Sequence, residues 1–277
     1  MVWFVPIGTG GGSRPPYPRN GSCALVDNRT GDVRRFWMLE SGANTLAELK
    51  RRWQTIPLYL IDRAFCSHPH LGHIGDLGQF ILEREIQAIK SGVERRLILY
   101  GTPVISEILD NVIDENEGIG FNVRAMAGRQ DLGDVFVFPV PHVPGEDSYG
   151  IRFMANDTLV FSPEPKKIVH LGDCNSRVQT LLPEEINDPS VLIIEATSAF
   201  PGTTHLDFSQ AAYVATQLNA RETIFNDVGY YYRQTVFDGC RRHNEKAYKA
   251  ASPRGFGRPG RWNRFDLARI GNSYIAV

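Results

Sequence analysis

The sequence predicts an α/β fold, an αββα domain over residues 1–235 followed by a basic extension over residues 236–277 that packs on the same domain, and three observations carry that expectation. Short apolar runs of strand length alternate along the chain with segments of helical period. No segment repeats at a fixed interval, and no linker composition divides the chain. Polar, chemistry-bearing residues stand directly after apolar strand-like runs, where α/β folds place ligand-binding groups.

The elements follow in order. Val2–Ile7 is an apolar strand that runs into Gly8-Thr9-Gly10-Gly11-Gly12-Ser13, a sequence suited to a tight, close-approach loop. Ser22–Asp27 and Arg35–Leu39 flank the turn signal Asn28-Arg29-Thr30-Gly31-Asp32 and read as a β-hairpin. Thr45–Trp53 is helix-like, and Leu58–Phe65 is the strand that leads into a histidine cluster. Leu77–Lys90 and Pro103–Ile113 show helical periodicity on either side of the strand Arg96–Tyr100. Asp134–Val140, Tyr149–Met154, Thr158–Ser162 and Lys167–Leu171 read as successive strands. Val191–Glu195, the helix Phe208–Leu218 and the strand Glu222–Phe225 complete the pattern. The last forty or so residues carry Arg241, Arg242, Lys246, Lys249, Arg254, Arg258, Arg261, Arg264 and Arg269 among glycine and proline, a basic and poorly periodic stretch.

Composition narrows the class. The chain of 277 residues is 42% hydrophobic and 22% charged with a formal net charge of -1, which fits an ordinary globular protein and neither a disordered nor a collagen-like one. Apolar runs such as Val191-Leu192-Ile193-Ile194 stop far short of a bilayer span, so no membrane partner is expected. The amino terminus lacks a basic start and a long apolar core, which makes the cytoplasm the expected location. Four widely separated cysteines, at 23, 66, 174 and 240, have no zinc-knuckle or thioredoxin spacing and are expected to be reduced thiols.

Three of the seven histidines fall within six residues, in Ser67-His68-Pro69-His70-Leu71-Gly72-His73. In an extended turn, positions i and i+2 point the same way. His68 and His70 can therefore share one ion, while His73, after the chain bends, faces a neighbouring one. His142 after Phe138-Pro139-Val140-Pro141 and Asp173 in Leu171-Gly172-Asp173-Cys174 end other strands and extend the ligand set.

Taken together, Gly8-Thr9-Gly10-Gly11-Gly12, the histidine cluster, His142 followed by Tyr149-Gly150-Ile151-Arg152-Phe153, Gly172-Asp173, and Glu195-Ala196-Thr197 followed by His205 form an ordered set. In it the chain resembles the metallo-β-lactamase superfamily. The resemblance is to its phosphodiesterase branch, which includes ribonuclease Z and class II cyclic-nucleotide phosphodiesterases, and it covers residues 2 to about 230. It implies an αββα sandwich of two mixed β-sheets flanked by helices, and a metal-dependent hydrolase. His68, His70, His142 and Asp173 would hold a first divalent ion. His73 and a bridging Asp173 would hold a second, the pair activating a hydroxide. His205, oriented by Glu195, would protonate the leaving oxygen.

Two positions depart from that pattern. Gly72 stands where the family has a liganding aspartate, and Asp227 stands where it has a final histidine. Both departures strike the second ion. One expectation is compensation, with Asp227 completing an oxygen-rich position that favours Mn2+ or Fe2+ over Zn2+. The competing expectation is a single ion and a weakly active or non-hydrolytic, nucleotide- or partner-binding protein. Asp76, four residues beyond Gly72, is read as a helix N-terminal carboxylate or as a further ligand.

The expected substrates are cyclic nucleotides or other small phosphodiesters. Tyr230 would form a stacking wall and Arg233 would meet phosphate oxygens. The interval from His142 to Asp173 lacks the long tRNA-gripping insertion of ribonuclease Z, so RNA processing is the less favoured alternative. Homodimers are common in the family this chain resembles, so the resemblance admits a homodimer, although no residue of the sequence establishes one.

Overall fold

The computed structural model describes residues 4–8, 23–27, 35–52, 57–112, 121–133, 135–155, 165–197, 204–226, 267–270 and 273–276. The first sheet contains β1 (Phe4–Gly8), β2 (Cys23–Asp27), β3 (Phe36–Leu39), β4 (Ile61–Phe65), β5 (Leu97–Gly101) and β6 (Phe121–Ala125), in that spatial order. Its first three strands pair antiparallel and its last four pair parallel. The second sheet contains β7 (Gln130–Asp131), β8 (Val135–Pro139), β9 (Tyr149–Ala155), β10 (Lys166–His170), β11 (Val191–Glu195), β12 (Thr223–Asn226), β13 (Leu267–Ile270) and β14 (Ser273–Ala276). Its order is β13-β14-β12-β11-β10-β9-β8-β7, parallel from β10 through β11 and β12 to β14 and antiparallel elsewhere.

Alternation along the strands sorts the core into layers. Trp37, Phe65, Tyr100, Val137, Ile151, Phe153, Ile168 and Ile193 pack between the sheets. Phe36, Met38, Leu97 and Leu99 point the other way, onto α1 (Thr45–Arg52), α3 (Leu77–Lys90) and α4 (Pro103–Val112). Val169, Leu171, Leu192 and Ile194 meet Ala211 and Val214 of α5 (Phe208–Gln217). Helix, sheet, sheet and helix therefore stack in that order, the αββα sandwich. The unbroken apolar run of β11 is that of a strand buried on both faces. Each sheet is mixed, as the resemblance implied.

Several boundaries differ from the sequence reading. Leu58–Leu60 is a 3-10 turn rather than the start of β4, closed by the Leu60 N–H to the Pro57 carbonyl at 3.0 Å. The Leu58 N–H is also taken by Gln87 Oε1 of α3 at 2.8 Å. Among the described residues, β6 and β7 are strands that the sequence did not signal, because both are short and β6 is half exposed. The basic extension ends in structure: β14 pairs with β12 and carries β13 as the sheet edge. The glycine-rich loop over residues 9–13, the hairpin turn over residues 28–32 and the expected strand Thr158–Ser162 lie outside the described residues. No helix among the described residues is long and apolar enough to cross a membrane.

Candidate metal centre

The site lies along one edge of the sandwich, where β3, β4, β8, β10 and β11 end. After β4 the chain turns through Cys66-Ser67-His68-Pro69-His70 into the single helical turn α2 (Leu71–Ile74). Main-chain bonds pin that loop: the Cys66 N–H to the Tyr100 carbonyl at 2.9 Å, and the Tyr149 N–H to the Ser67 carbonyl at 3.1 Å. Gly172 lets the Asp173 turn approach from β10. Its φ is +64°, and a Cβ there would lie 2.6 Å from Ser67 Cβ. Only glycine permits both that conformation and that approach.

Five of the predicted ligands, His68, His70, His73, His142 and Asp173, converge. His68 Nε2 lies 2.9 Å from His70 Nδ1, and the His68 and His142 ring centres are 4.8 Å apart. His142 Nδ1 donates to the Thr204 carbonyl at 2.7 Å, which fixes the tautomer and leaves Nε2 with a bare lone pair. That Nε2 is buried and has no hydrogen-bond partner among the described residues, and the same holds for Asp173 Oδ1. Two orphaned acceptors facing a cluster of imidazoles fit a divalent cation. One ligand atom each from His68, His70 and His142 lies within 4.8 Å of the others, as do those of His68, His73 and Asp173.

Charge is distributed to match. Burial, reinforced by the charge on His73, pushes His68 down to about 3, so its ring is neutral and able to ligate. Burial likewise lowers His142. Burial acts in the same sense on His73, but the charges of Asp173 and Glu40 outweigh it and hold His73 well above the usual histidine range. Asp173 Oδ2 lies 3.2 Å from His73 Nε2, and this neighbour overcomes burial to keep the Asp173 carboxyl well below the usual carboxylate range. A cationic His73 against an ionised Asp173 places a proton where a second metal would place its charge.

His205 joins the same cluster. Its Nδ1 is 2.8 Å from Glu195 Oε2 and 3.6 Å from Asp173 Oδ2. Glu195, at the end of β11, also accepts the Cys174 N–H at 2.6 Å, and burial together with the Asp173 charge pushes its carboxyl up to about 7. His142, Asp173 and His205 form a further group able to hold a cation.

Other expected residues fall differently. Gly72 sits in α2 with open space where a Cβ would be, so nothing fills the place of the expected aspartate side chain. Asp76 does not supply it: its Oδ2 accepts the Leu46 N–H at 2.9 Å and caps α1, a neighbouring helix rather than its own. Asp227, Tyr230 and Arg233 lie outside the described residues.

Sequence reasoning missed three supports. Glu40 follows β3, is fully buried, and lies 3.4 Å from His73 Nδ1 and 3.0 Å from His170 Nε2. Glu146 Oε2 lies 3.0 Å from His70 Nε2. Asn175 donates through Nδ2 to the His142 carbonyl at 2.7 Å. The available signals were the acid ending β3 in Leu39-Glu40-Ser41-Gly42 and a histidine three residues before Asp173.

The comparisons with known proteins agree with this fold. Residues 41–226 match the Beta-lactamase superfamily domain. The metallo-beta-lactamase fold protein YhfI from Bacillus subtilis superposes with a TM-score of 0.62 at 18% identity, over 85% of this chain and 90% of that one. Human tRNase Z, short form, gives 0.63 at 18% identity, over 84% and 94%. A diphosphatase from the PhnP family gives 0.56 at 17% identity, over 83% and 87%. No curated protein is similar enough in sequence to match. The matched span, the two-sheet fold and the histidine–aspartate edge place the chain in the metallo-β-lactamase superfamily, most of whose members are metal-dependent hydrolases.

Proposed function

We propose that the protein is a metal-dependent phosphodiesterase acting on cyclic nucleotides or other small phosphodiesters. The observation that carries this reading is the Glu195–His205 pair, 2.8 Å apart and directly beside Asp173. A site that only binds a ligand has little need of a carboxylate-oriented imidazole next to a cation cluster. The similarity to a tRNase and to a diphosphatase supports phosphorus–oxygen chemistry.

In this reading His68, His70, His142 and Asp173 hold a first divalent ion. His73 and Asp173, with Asp227, hold a second. When bound, such ions supply a water nucleophile activated near neutral pH and positive charge against the nonbridging phosphate oxygens. The protein's own groups do the rest. Glu195 keeps the His205 Nδ1 edge turned inward, so Nε2 is the ring nitrogen that hands a proton to the leaving oxygen as the phosphorus–oxygen bond breaks. Tyr230 and Arg233 are assigned to the substrate, as stacking surface and phosphate contact. A protonated dyad near neutral pH agrees with the raised Glu195 carboxyl.

A second reading, a weakly active or non-hydrolytic nucleotide- or partner-binding protein, draws on one observation: the empty space beside Gly72. One experiment separates the two. Metal-stripped protein is reloaded with Zn2+, Mn2+ or Fe2+ and assayed on bis(p-nitrophenyl) phosphate and on cyclic nucleotides, alongside His70→Ala and Gly72→Asp. Metal-stimulated hydrolysis by the natural chain, abolished in His70→Ala, is expected. Inertness with every metal, coupled with a gain of orders of magnitude in Gly72→Asp, would establish the second reading instead.

A further inference from the structure

We propose that Glu146 is a positioning residue for the first metal position: its carboxylate holds the outer N–H of His70, and through that contact a bound ion clasps the loop between β8 and β9 to the histidine loop. The inference rests on the metal-binding reading of His68, His70 and His142 given above.

The sequence of the loop aims Glu146 at the site. The base of the loop is closed by the Val140 N–H on the Ser148 carbonyl at 2.8 Å. Its first arm is anchored by Asn175, whose N–H reaches the Pro141 carbonyl and whose Nδ2 reaches the His142 carbonyl, both at 2.7 Å. Val143-Pro144-Gly145-Glu146 then reverses the chain, with the Glu146 N–H on the Val143 carbonyl at 3.2 Å. Proline stands second and a glycine with φ of +84° third, the arrangement of a type II turn. Side-chain-bearing residues resist that φ, so the Pro-Gly pair fixes where the fourth residue leaves the turn. That residue is Glu146, and its Oε2 lies 3.0 Å from His70 Nε2.

The three histidines of the first position differ in what stands behind them. His68 Nδ1 lies 2.9 Å from Ser67 Oγ, and His142 Nδ1 donates to the Thr204 carbonyl at 2.7 Å. Those two side chains are 0% and 1% exposed, so the surrounding packing already holds their rings. His70 is 44% exposed, and water can pull at its ring. Its Nδ1 faces His68 Nε2 at 2.9 Å, on the cation side, so a ligating His70 carries its proton on Nε2. Glu146 accepts that N–H, and a charge-assisted bond to a carboxylate fixes both tautomer and orientation. The strongest acceptor thus stands behind the ligand that packing holds least. The coupling runs both ways. An ion on Nδ1 draws charge from the ring and makes Nε2–H a better donor, so whatever Glu146 adds to metal affinity the metal adds to the hold on the loop. An exposed contact of this kind is weak without the ion, and the clasp is therefore firmest in the loaded protein.

The test is calorimetric titration of the metal-stripped full chain with Zn2+ in competition with a chelator, beside Glu146→Ala, Glu146→Gln and Asp147→Ala. The ion followed is the one that His70→Ala also loses. Glu146→Ala should weaken it roughly 10–100-fold, and Glu146→Gln, which keeps a neutral acceptor, by a smaller factor. Asp147→Ala removes an equal charge from the next position of the same loop and should leave the affinity within about 3-fold. Glu146 is 39% exposed at the tip of a turn, so its replacement leaves the core intact. Hydrogen exchange over residues 143–148, read by mass spectrometry, gives a second readout. Metal loading should slow exchange there in the wild type and in Asp147→Ala, and change it little in Glu146→Ala. Affinity in Glu146→Ala within about 3-fold of the wild type overturns the proposal. So do equal losses in Glu146→Ala and Asp147→Ala, which would make the effect one of loop charge, or loop exchange that metal slows equally with and without Glu146. Failure of the wild type to take any ion would overturn the metal-binding reading and this inference with it. Metal bound with the expected losses but no diester hydrolysis would overturn the proposed function and leave this inference standing.

Discussion

At the scale of single residues, position relative to a charge determines what each histidine can do. His68 and His142 are neutral through burial, whereas His73 is cationic through its two carboxylate neighbours. His205 stands apart because its carboxylate partner, Glu195, carries a raised pKa and its ring is partly exposed. Its removal should therefore act on proton transfer. His205→Ala is expected to reduce hydrolysis of an alkyl-leaving-group diester by roughly 10²–10⁴-fold with metal content unchanged, and to reduce it less for a p-nitrophenolate leaving group that needs no acid. Metal analysis beside steady-state kinetics checks both parts.

Glu40 gives a second residue-scale prediction. Burial raises its pKa, but the charge on His73 and the bonds from His170 and His73 prevail and hold the carboxyl at about 2 against an ordinary 4.5. A depressed folded-state pKa contributes stability that is complete above pH 4.5 and drains away as pH falls toward 2. The shift corresponds to about 3 kcal/mol. Metal-free wild type is expected to lose stability steeply over that window in urea melts, and Glu40→Gln to show a flatter acid limb.

At the scale of elements, the strand ends matter more than the strands. The β4 run predicted its histidine loop, and the β10 and β11 runs predicted where Asp173 and Glu195 would stand, because strand direction and period are local properties. Which ends meet is not local. Thr204 holds His142 across 62 positions of sequence, and Glu40 meets His170 across 130. The α5 boundary was legible, since Asp207 and Gln210 form a reciprocal capping box there. Asp207→Ala should cost about 1 kcal/mol, a melting temperature lower by roughly 2–4 °C. Because α5 packs on β11 and the 3-10 turn that follows Asn175, calorimetry should show that loss without any change in metal uptake.

At the scale of the whole molecule, the basic end of the chain was expected to pack on the same domain, with no strands of its own. Its arginines and glycines suggested an extension, yet β14 extends the second sheet beyond β12, pairing Thr223 with Ser273 and Phe225 with Ile275. Removing residues 236–277 would strip that edge and leave the unpaired backbone of β12 beside Asn226, next to the expected ligand Asp227. Net hydrogen bonds of about 1 kcal/mol each make the loss a few kcal/mol in total. The truncated chain is expected to melt roughly 5–10 °C lower and to aggregate more readily, as thermal scans and light scattering would record.

Local pattern was enough to give the αββα layering, the histidine cluster, His142 and Asp173, since apolar period and strand-end chemistry are written within a few residues of each other, whereas the Glu195–His205 pair followed from the family resemblance. What surrounds those groups came from the packing of the whole chain. Packing turned Asp76 away to cap α1, left open space beside Gly72, and brought Glu40 and His170 behind His73. It also returned the chain's last strands to the second sheet. Each of these depends on segments far apart in sequence that meet only when both sheets close on one core, and no local pattern encodes that meeting.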